Sequence, residues 1–197
     1  MSQADFPLPP NLPVPVDDGA AEHLKGMAMP RISLPSTRGR MVSLSALSAS
    51  RTVIYCYPRT GVPGKPLPEE WDMIPGARGC TPQTCGFRDH HQELLQLNTG
   101  VFGLSTQTTE YQLEMATRLH LPFEILSDAE FRLCEALRLP TFQVGGMRLL
   151  KRLTLIVRNS QIEEVFYPVF PPDESADQVL RWLRKNPIAA QPHIREP

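Results

Sequence analysis

Apolar positions recur along this chain with two periods, and their order outlines a fold. Ile32-Ser33-Leu34 and Met41-Val42-Ser43-Leu44, on either side of a polar stretch holding Gly39, predict a β-hairpin. Residues 52–57 form a β-rich run closed by Pro58 and predict a buried central strand. Phe87, His91, Leu94 and Leu95 follow at helical spacing. That helix should open near Thr81-Pro82, since proline suits a first helical turn, and stop at Asn98 and Gly100. Residues 101–105 read as a strand, and Tyr111, Met115 and Leu119 as a helix. Residues 123–126 give a short strand, and Phe131, Cys134 and Leu137 another helix. Two strands, 152–157 and 162–167, meet at Asn159-Ser160, and residues 173–185 close the chain's pattern as a helix burying Val179, Leu180, Trp182 and Leu183.

Alternating strands and helices imply an α/β fold, a partly parallel sheet covered by helices on both faces. The closing strand pair is short enough for a hairpin, which makes the central sheet mixed. Proline refines the boundaries. Pro7, Pro9, Pro10, Pro13 and Pro15 mark residues 1–24 as an extended N-terminal arm, on the surface or disordered, ahead of a domain over 25–186 and a tail over 187–197. Pro63, Pro66, Pro68 and Pro75 mark residues 61–75 as an inserted loop, which Trp71 and Ile74 should pin to the body, either as a lid or partner surface or as a merely tolerated insertion. A length of 197 residues fits one such domain with decorated ends.

Charge excludes some partners. Twenty basic against 21 acidic residues leave a net charge of −1, with no basic stripe for nucleic acid. No apolar run approaches the ~20 residues of a membrane helix, and the first residues lack the basic and apolar regions of a secretory signal. The expected compartment is the cytoplasm, where cysteines are more often reactive or metal-binding than structural bridges. The expected state is a monomer or weak homodimer.

The chemistry concentrates in Gly79-Cys80-Thr81-Pro82-Gln83-Thr84-Cys85-Gly86-Phe87-Arg88-Asp89. A thiol at a helix start meets unpaired backbone N–H groups and the positive end of the helix dipole, both of which favour the thiolate. Accessible thiolates react with peroxides to give a sulfenic acid, which a second thiol traps as a disulfide. Cys80 and Cys85 would lie about 8.6 Å apart between Cα atoms in an unbroken helix, whereas a disulfide needs less than ~7 Å. Oxidation is therefore expected to unwind the first turns of the helix, at low cost because Pro82 and Gly86 stabilise its interior poorly.

This segment resembles the active-site signature of the peroxiredoxins of the Q type, the bacterioferritin-comigratory proteins. The resemblance extends over roughly residues 25–186 and includes the Leu104-Ser105 strand end and the Leu126-Ser127-Asp128 turn. It implies a thioredoxin-like fold, with the N-terminal hairpin as an extension. It also implies a peroxidatic Cys80, a resolving Cys85 on the same helix, and an Arg152 that holds the thiolate and polarises the peroxide. The substrates would be hydrogen peroxide or organic hydroperoxides, and the reductant a thioredoxin-like dithiol, with no metal, flavin or haem. The chain departs from the family's Pro-x-x-x-Thr-x-x-Cys run, having Met73 and Ala77 at the corresponding positions. The nearest remnant is Tyr57-Pro58-Arg59-Thr60, so Thr60 is the favoured source of the peroxide-gripping hydroxyl, ahead of Thr81 or a backbone donor. Gln83 stands where family members carry Glu.

Other readings compete. Arg148, Lys151 and Arg158 rival Arg152 as the cation. Cys80, Cys85, His90 and His91 sit at the loose edge of zinc spacing, but adjacent helical histidines point ~100° apart, which disfavours one shared ion. Cys56 and Cys134 lie in apolar patterns and are expected to be inert core. A redox sensor could use the same cysteine switch, and a thiol-disulfide oxidoreductase could use the same frame, although that chemistry prefers Cys-x-x-Cys. Sensor and peroxidase are separated by whether Thr60 and Arg152 converge on Cys80.

Overall fold

A computed structural model describes residues 7–188. A five-stranded sheet organises them, in the spatial order β5-β4-β3-β8-β9. Its central strand β3 (Arg51–Cys56) runs parallel to β4 (Thr99–Ser105), which runs parallel to β5 (Glu124–Ser127). On the other side β3 pairs antiparallel with β8 (Leu153–Arg158), which turns at Asn159-Ser160 into β9 (Gln161–Phe166). The sheet is mixed, as the closing hairpin predicted. Every residue of β3 is buried, as befits a strand covered on both faces.

Alternation along β3 divides the core. Val53, Tyr55 and Tyr57 face a cluster with α1 (Cys80–Asp89), α2 (His91–Gln96), α3 (Thr109–Arg118) and α5 (Ser175–Lys185). Ile54 and Cys56 face a second cluster with α4 (Arg132–Leu137) and the hairpin of β1 (Ser33–Pro35) and β2 (Met41–Ser43). This is a thioredoxin-like α/β fold with a mixed sheet and helices on both faces.

The structure corrects the sequence reading in two places. The single helix expected from Thr81 to Asn98 is two, because His90 leaves helical geometry (φ −93°, ψ 7°). Its ring there hydrogen-bonds Glu93 at 2.6 Å and approaches Asp177 of α5 at 3.4 Å, so a local and a tertiary contact both meet at the break. A second hairpin, β6 (Thr141–Val144) and β7 (Met147–Leu150), turns at Gly145-Gly146, where the sequence reading has no element.

That hairpin builds a third small core. Leu149 packs with Trp71 and Ala77, and Leu67, Ile74, Phe142, Val144 and Met147 close around them. Trp71 is 3% exposed, so the loop over 61–75 is pinned to the body. The N-terminal arm lies along the same region. Asp18 accepts hydrogen bonds from Lys151 Nζ (2.5 Å) and the Tyr167 hydroxyl (2.7 Å), which together hold its carboxyl well below the ordinary range. Residues 1–6 of the expected arm and 189–197 of the expected tail lie outside the described residues. Among those described, no helix is long and apolar enough to cross a membrane.

Candidate active site

Topology explains why Cys80 and Arg152 meet. Cys56 at the end of β3 pairs with Leu153 at the start of β8, so Arg152 sits just beyond the carboxyl end of the central strand. That end is where α/β sheets place their sites. The chain leaving β3 crosses the proline-rich loop and enters α1 at the same edge, with Cys80 as the helix's first residue.

Gly79 makes this entry possible. It adopts φ 101°, and a Cβ there would fall 2.3 Å from Pro172 Cγ. Both backbone and packing therefore demand glycine. The sulfur sits at the first residue of α1, the positive end of the helix dipole, and Arg152 Nη2 donates to Cys80 Sγ at 3.2 Å.

Arg152 is 3% exposed and rigidly held. Its Nε donates to the Gly76 carbonyl (3.3 Å), and Nη2 to the carbonyls of Ala77 and Arg78 (3.1 Å each). Its Nη1 donates to Gln83 Oε1, whose Nε2 donates in turn to Ser175 Oγ at 3.2 Å. These oxygens are neutral, so among the described residues the one partner of Arg152 able to become an anion is the Cys80 sulfur. The rival cations are engaged elsewhere: Arg148 with Glu135 (2.6 Å), Lys151 with Asp18 (2.5 Å) and Arg158 with Glu163 (3.6 Å).

Cys85 lies in a different medium. It is fully buried among Val53, Tyr55, Phe87 and Leu94, and burial pushes its thiol up. Tyr55 stacks on Phe87 with ring centroids 4.4 Å apart and donates to Thr84 Oγ1 at 3.2 Å, clamping this part of α1 to β3. All four cysteines are free thiols. Burial also raises Cys56 far above the thiol range and pushes Cys134 up to about 11, in keeping with inert core positions.

A cavity of about 360 Å³ opens over Cys80, lined among others by Leu8 of the arm, Arg59, Lys65 and Leu67. Thr60 lies between two lining residues but is itself 1% exposed. Its N–H and hydroxyl both donate to Gln107 Oε1, at 2.9 and 3.3 Å, and it has no hydrogen bond to Cys80 or Arg152. The structure thus brings Cys80 and Arg152 together and turns the Thr60 hydroxyl toward Gln107. Thr81 lines the cavity beside Cys80. His90 is taken by Glu93, and His91 packs on Phe123 with centroids 5.7 Å apart.

Sequence reasoning missed what holds Arg152. Gln83 follows Cys80 by three positions, which places both on one helix face, so its spacing carried the signal. The three carbonyls of residues 76–78 left no signal, because any residue supplies a carbonyl.

Fold and site together define a thioredoxin-like thiol protein with an arginine-held cysteine. Comparison with known proteins narrows this. Residues 24–180 match the redoxin family. Peroxiredoxin Bcp of Escherichia coli K12 is 31% identical over 170 residues, spanning 82% of this chain and 96% of that protein. The chloroplastic peroxiredoxin Q of Sedum lineare is 28% identical over 176 residues, spanning 89% and 86%. The crystal structure of peroxidoxin BcpB from Mycobacterium tuberculosis superposes with a TM-score of 0.67 at 25% identity, covering 82% of this chain and 97% of that one. The chain therefore belongs to the redoxin family, as a peroxiredoxin of the Q type, and is a thiol-dependent peroxidase.

Proposed function

We propose that Cys80 is the peroxidatic cysteine, Cys85 the resolving cysteine and Arg152 the residue that orients the peroxide. The observation carrying this reading is the 3.2 Å contact between Arg152 Nη2 and Cys80 Sγ at the first residue of a helix, with a neutral cage behind the guanidinium.

The Cys80 thiolate attacks the terminal oxygen of a hydroperoxide, ROOH. The S–O bond forms as the O–O bond breaks, leaving a sulfenic acid and the alkoxide RO⁻, which takes a proton to become ROH or, when R is hydrogen, water. Arg152 offers its positive charge where that oxygen's negative charge develops. The Cys85 thiol then condenses with the sulfenic acid, forming the disulfide and releasing water. A thioredoxin-like dithiol reduces the disulfide and is oxidised in turn. The burial of Cys85 supports this order over a dithiol-first exchange, since no partner reaches its sulfur until α1 opens. The role expected of Thr60 as peroxide grip has no such support, because its hydroxyl proton goes to Gln107.

Stopped-flow oxidation of the reduced protein, followed by intact-mass analysis, tests the reading. Hydrogen peroxide should remove two hydrogens rapidly from the wild type and add one oxygen to Cys85→Ser. Oxidation no faster than that of a free thiol would contradict it.

A further inference from the structure

The cavity over Cys80 is much larger than a peroxide bond requires. Its volume of about 360 Å³ falls within the ~300–1,000 Å³ usual for small-molecule sites. Its wall has two chemical sides. One is apolar, built from Leu8 of the arm and from Leu67 and Trp71 of the proline-rich loop. The other is cationic, with Arg59, Lys65, Arg78 and Arg118, and among the described residues no carboxylate lines the cavity.

Not all of that charge is free. Arg78 is paired with Asp72 at 3.1 Å, and Arg118 with Glu114 at 2.7 Å. Arg59 has no acidic partner among the described residues. Its Nη1 and Nη2 donate to Met147 Sδ (3.0 Å) and the Tyr111 hydroxyl (3.3 Å), and its guanidinium lies over the Tyr111 ring at 5.1 Å. These contacts fix the plane of the guanidinium. Among the described residues its other N–H groups have no partner, and Lys65 has no ion pair.

We propose that Arg59, seconded by Lys65, binds an anionic group on the substrate, so that the preferred substrate is an alkyl hydroperoxide carrying a carboxylate. The planar, partly desolvated donors of Arg59 match a carboxylate better than a point charge would. Trp71, Leu67 and Leu8 cover the intervening hydrocarbon, and the hydroperoxide end reaches Cys80. Arg59 and Trp71 are thus specificity residues that belong to the proline-rich side of the site rather than to the Cys80–Arg152 pair. The proposal rests on Cys80 being the peroxidatic residue.

The test compares oxidation of Cys80 by tert-butyl hydroperoxide and by a derivative in which one methyl is extended into a carboxylate-terminated arm. The wild type should prefer the carboxylate by roughly tenfold or more, the scale on which a charged cleft raises encounter rates. The preference should shrink as salt is raised from ~0.1 M to ~1 M and the screening length falls from ~10 Å to ~3 Å. Arg59→Gln should bring the ratio of the two rates toward one, whereas Arg181→Gln, which removes an exposed charge from α5 outside the cavity, should preserve it. A wild-type ratio near one, a ratio indifferent to salt, or a ratio retained in Arg59→Gln would overturn the subsite. Because the salt series uses the unmodified protein, the result does not depend on how the variant folds. Failure of hydrogen peroxide to oxidise Cys80 would instead overturn the underlying assignment, so the two failures are distinguishable.

Discussion

The two ends of helix α1 hold the same side chain in opposite surroundings. At the first residue, Cys80 meets a guanidinium, the positive end of the helix dipole and an open cavity. Five residues on, Cys85 is sealed in an apolar core beneath Tyr55 and Phe87. Geometry adds to the contrast, since a continuous helix keeps the two Cα atoms about 8.6 Å apart, beyond the reach of a disulfide. One end is built to be attacked by substrate, and the other is withheld until the first step is complete. A helix serves both needs because it holds the thiols apart when intact and releases the second by local unwinding alone.

The Cys80 end should be the more sensitive to electrostatic damage. Arg152→Met removes the charged donor to the sulfur, and oxidation by hydrogen peroxide should slow by about 10²–10³-fold, the usual cost of losing such a donor. Stopped-flow kinetics read this directly, and an unchanged rate would assign the cation elsewhere. The same end is sensitive to shape. Gly79→Ala forces a methyl group toward Pro172 Cγ, 2.3 Å away, at φ 101°, and should destabilise the fold by about 1–3 kcal/mol in urea denaturation. A midpoint equal to the wild type's would mean that the turn relaxes freely.

The Cys85 end should show itself through pH. Burial raises this thiol in the folded enzyme, so its thiolate becomes available only once α1 has unwound and the ordinary value near 8.5 applies. A raised thiol reacts more slowly at low pH and faster as pH rises. Disulfide formation should therefore accelerate by about tenfold per unit up to roughly pH 8.5. Quenched-flow alkylation across pH 6–9 measures this step, and a flat profile would show that unwinding rather than thiolate supply limits it.

How far the sequence revealed this molecule depends on whether each feature is local. The order of strands and helices was legible because each element carries its own periodicity, and the start of α1 because proline and glycine mark it. The pairing of Cys80 with Arg152 came from resemblance, and the strand register shows why it must occur. The break at His90 was not legible, since apolar spacing runs unbroken through the site and Asp177, one of the two carboxylates at the His90 ring, lies on a helix far along the chain. The β6–β7 hairpin was missed although Gly145-Gly146 is a hairpin signal between apolar runs. Thr60 was a reasonable candidate by sequence position, but Gln107, beyond the end of β4, sets its orientation. Composition gave the arm as surface or disordered chain and the loop as a pinned lid or partner surface, and the structure makes both of them walls of the cavity.

Amide hydrogen exchange over residues 79–90 tests the central claim most directly, comparing the reduced enzyme, the peroxide-oxidised enzyme and peroxide-treated Cys85→Ser. The account predicts that α1 amides are protected in the reduced enzyme and in the variant's sulfenic acid, and lose protection only when the Cys80–Cys85 disulfide forms. A disulfide-bonded enzyme whose α1 amides exchange as slowly as in the reduced state would contradict it.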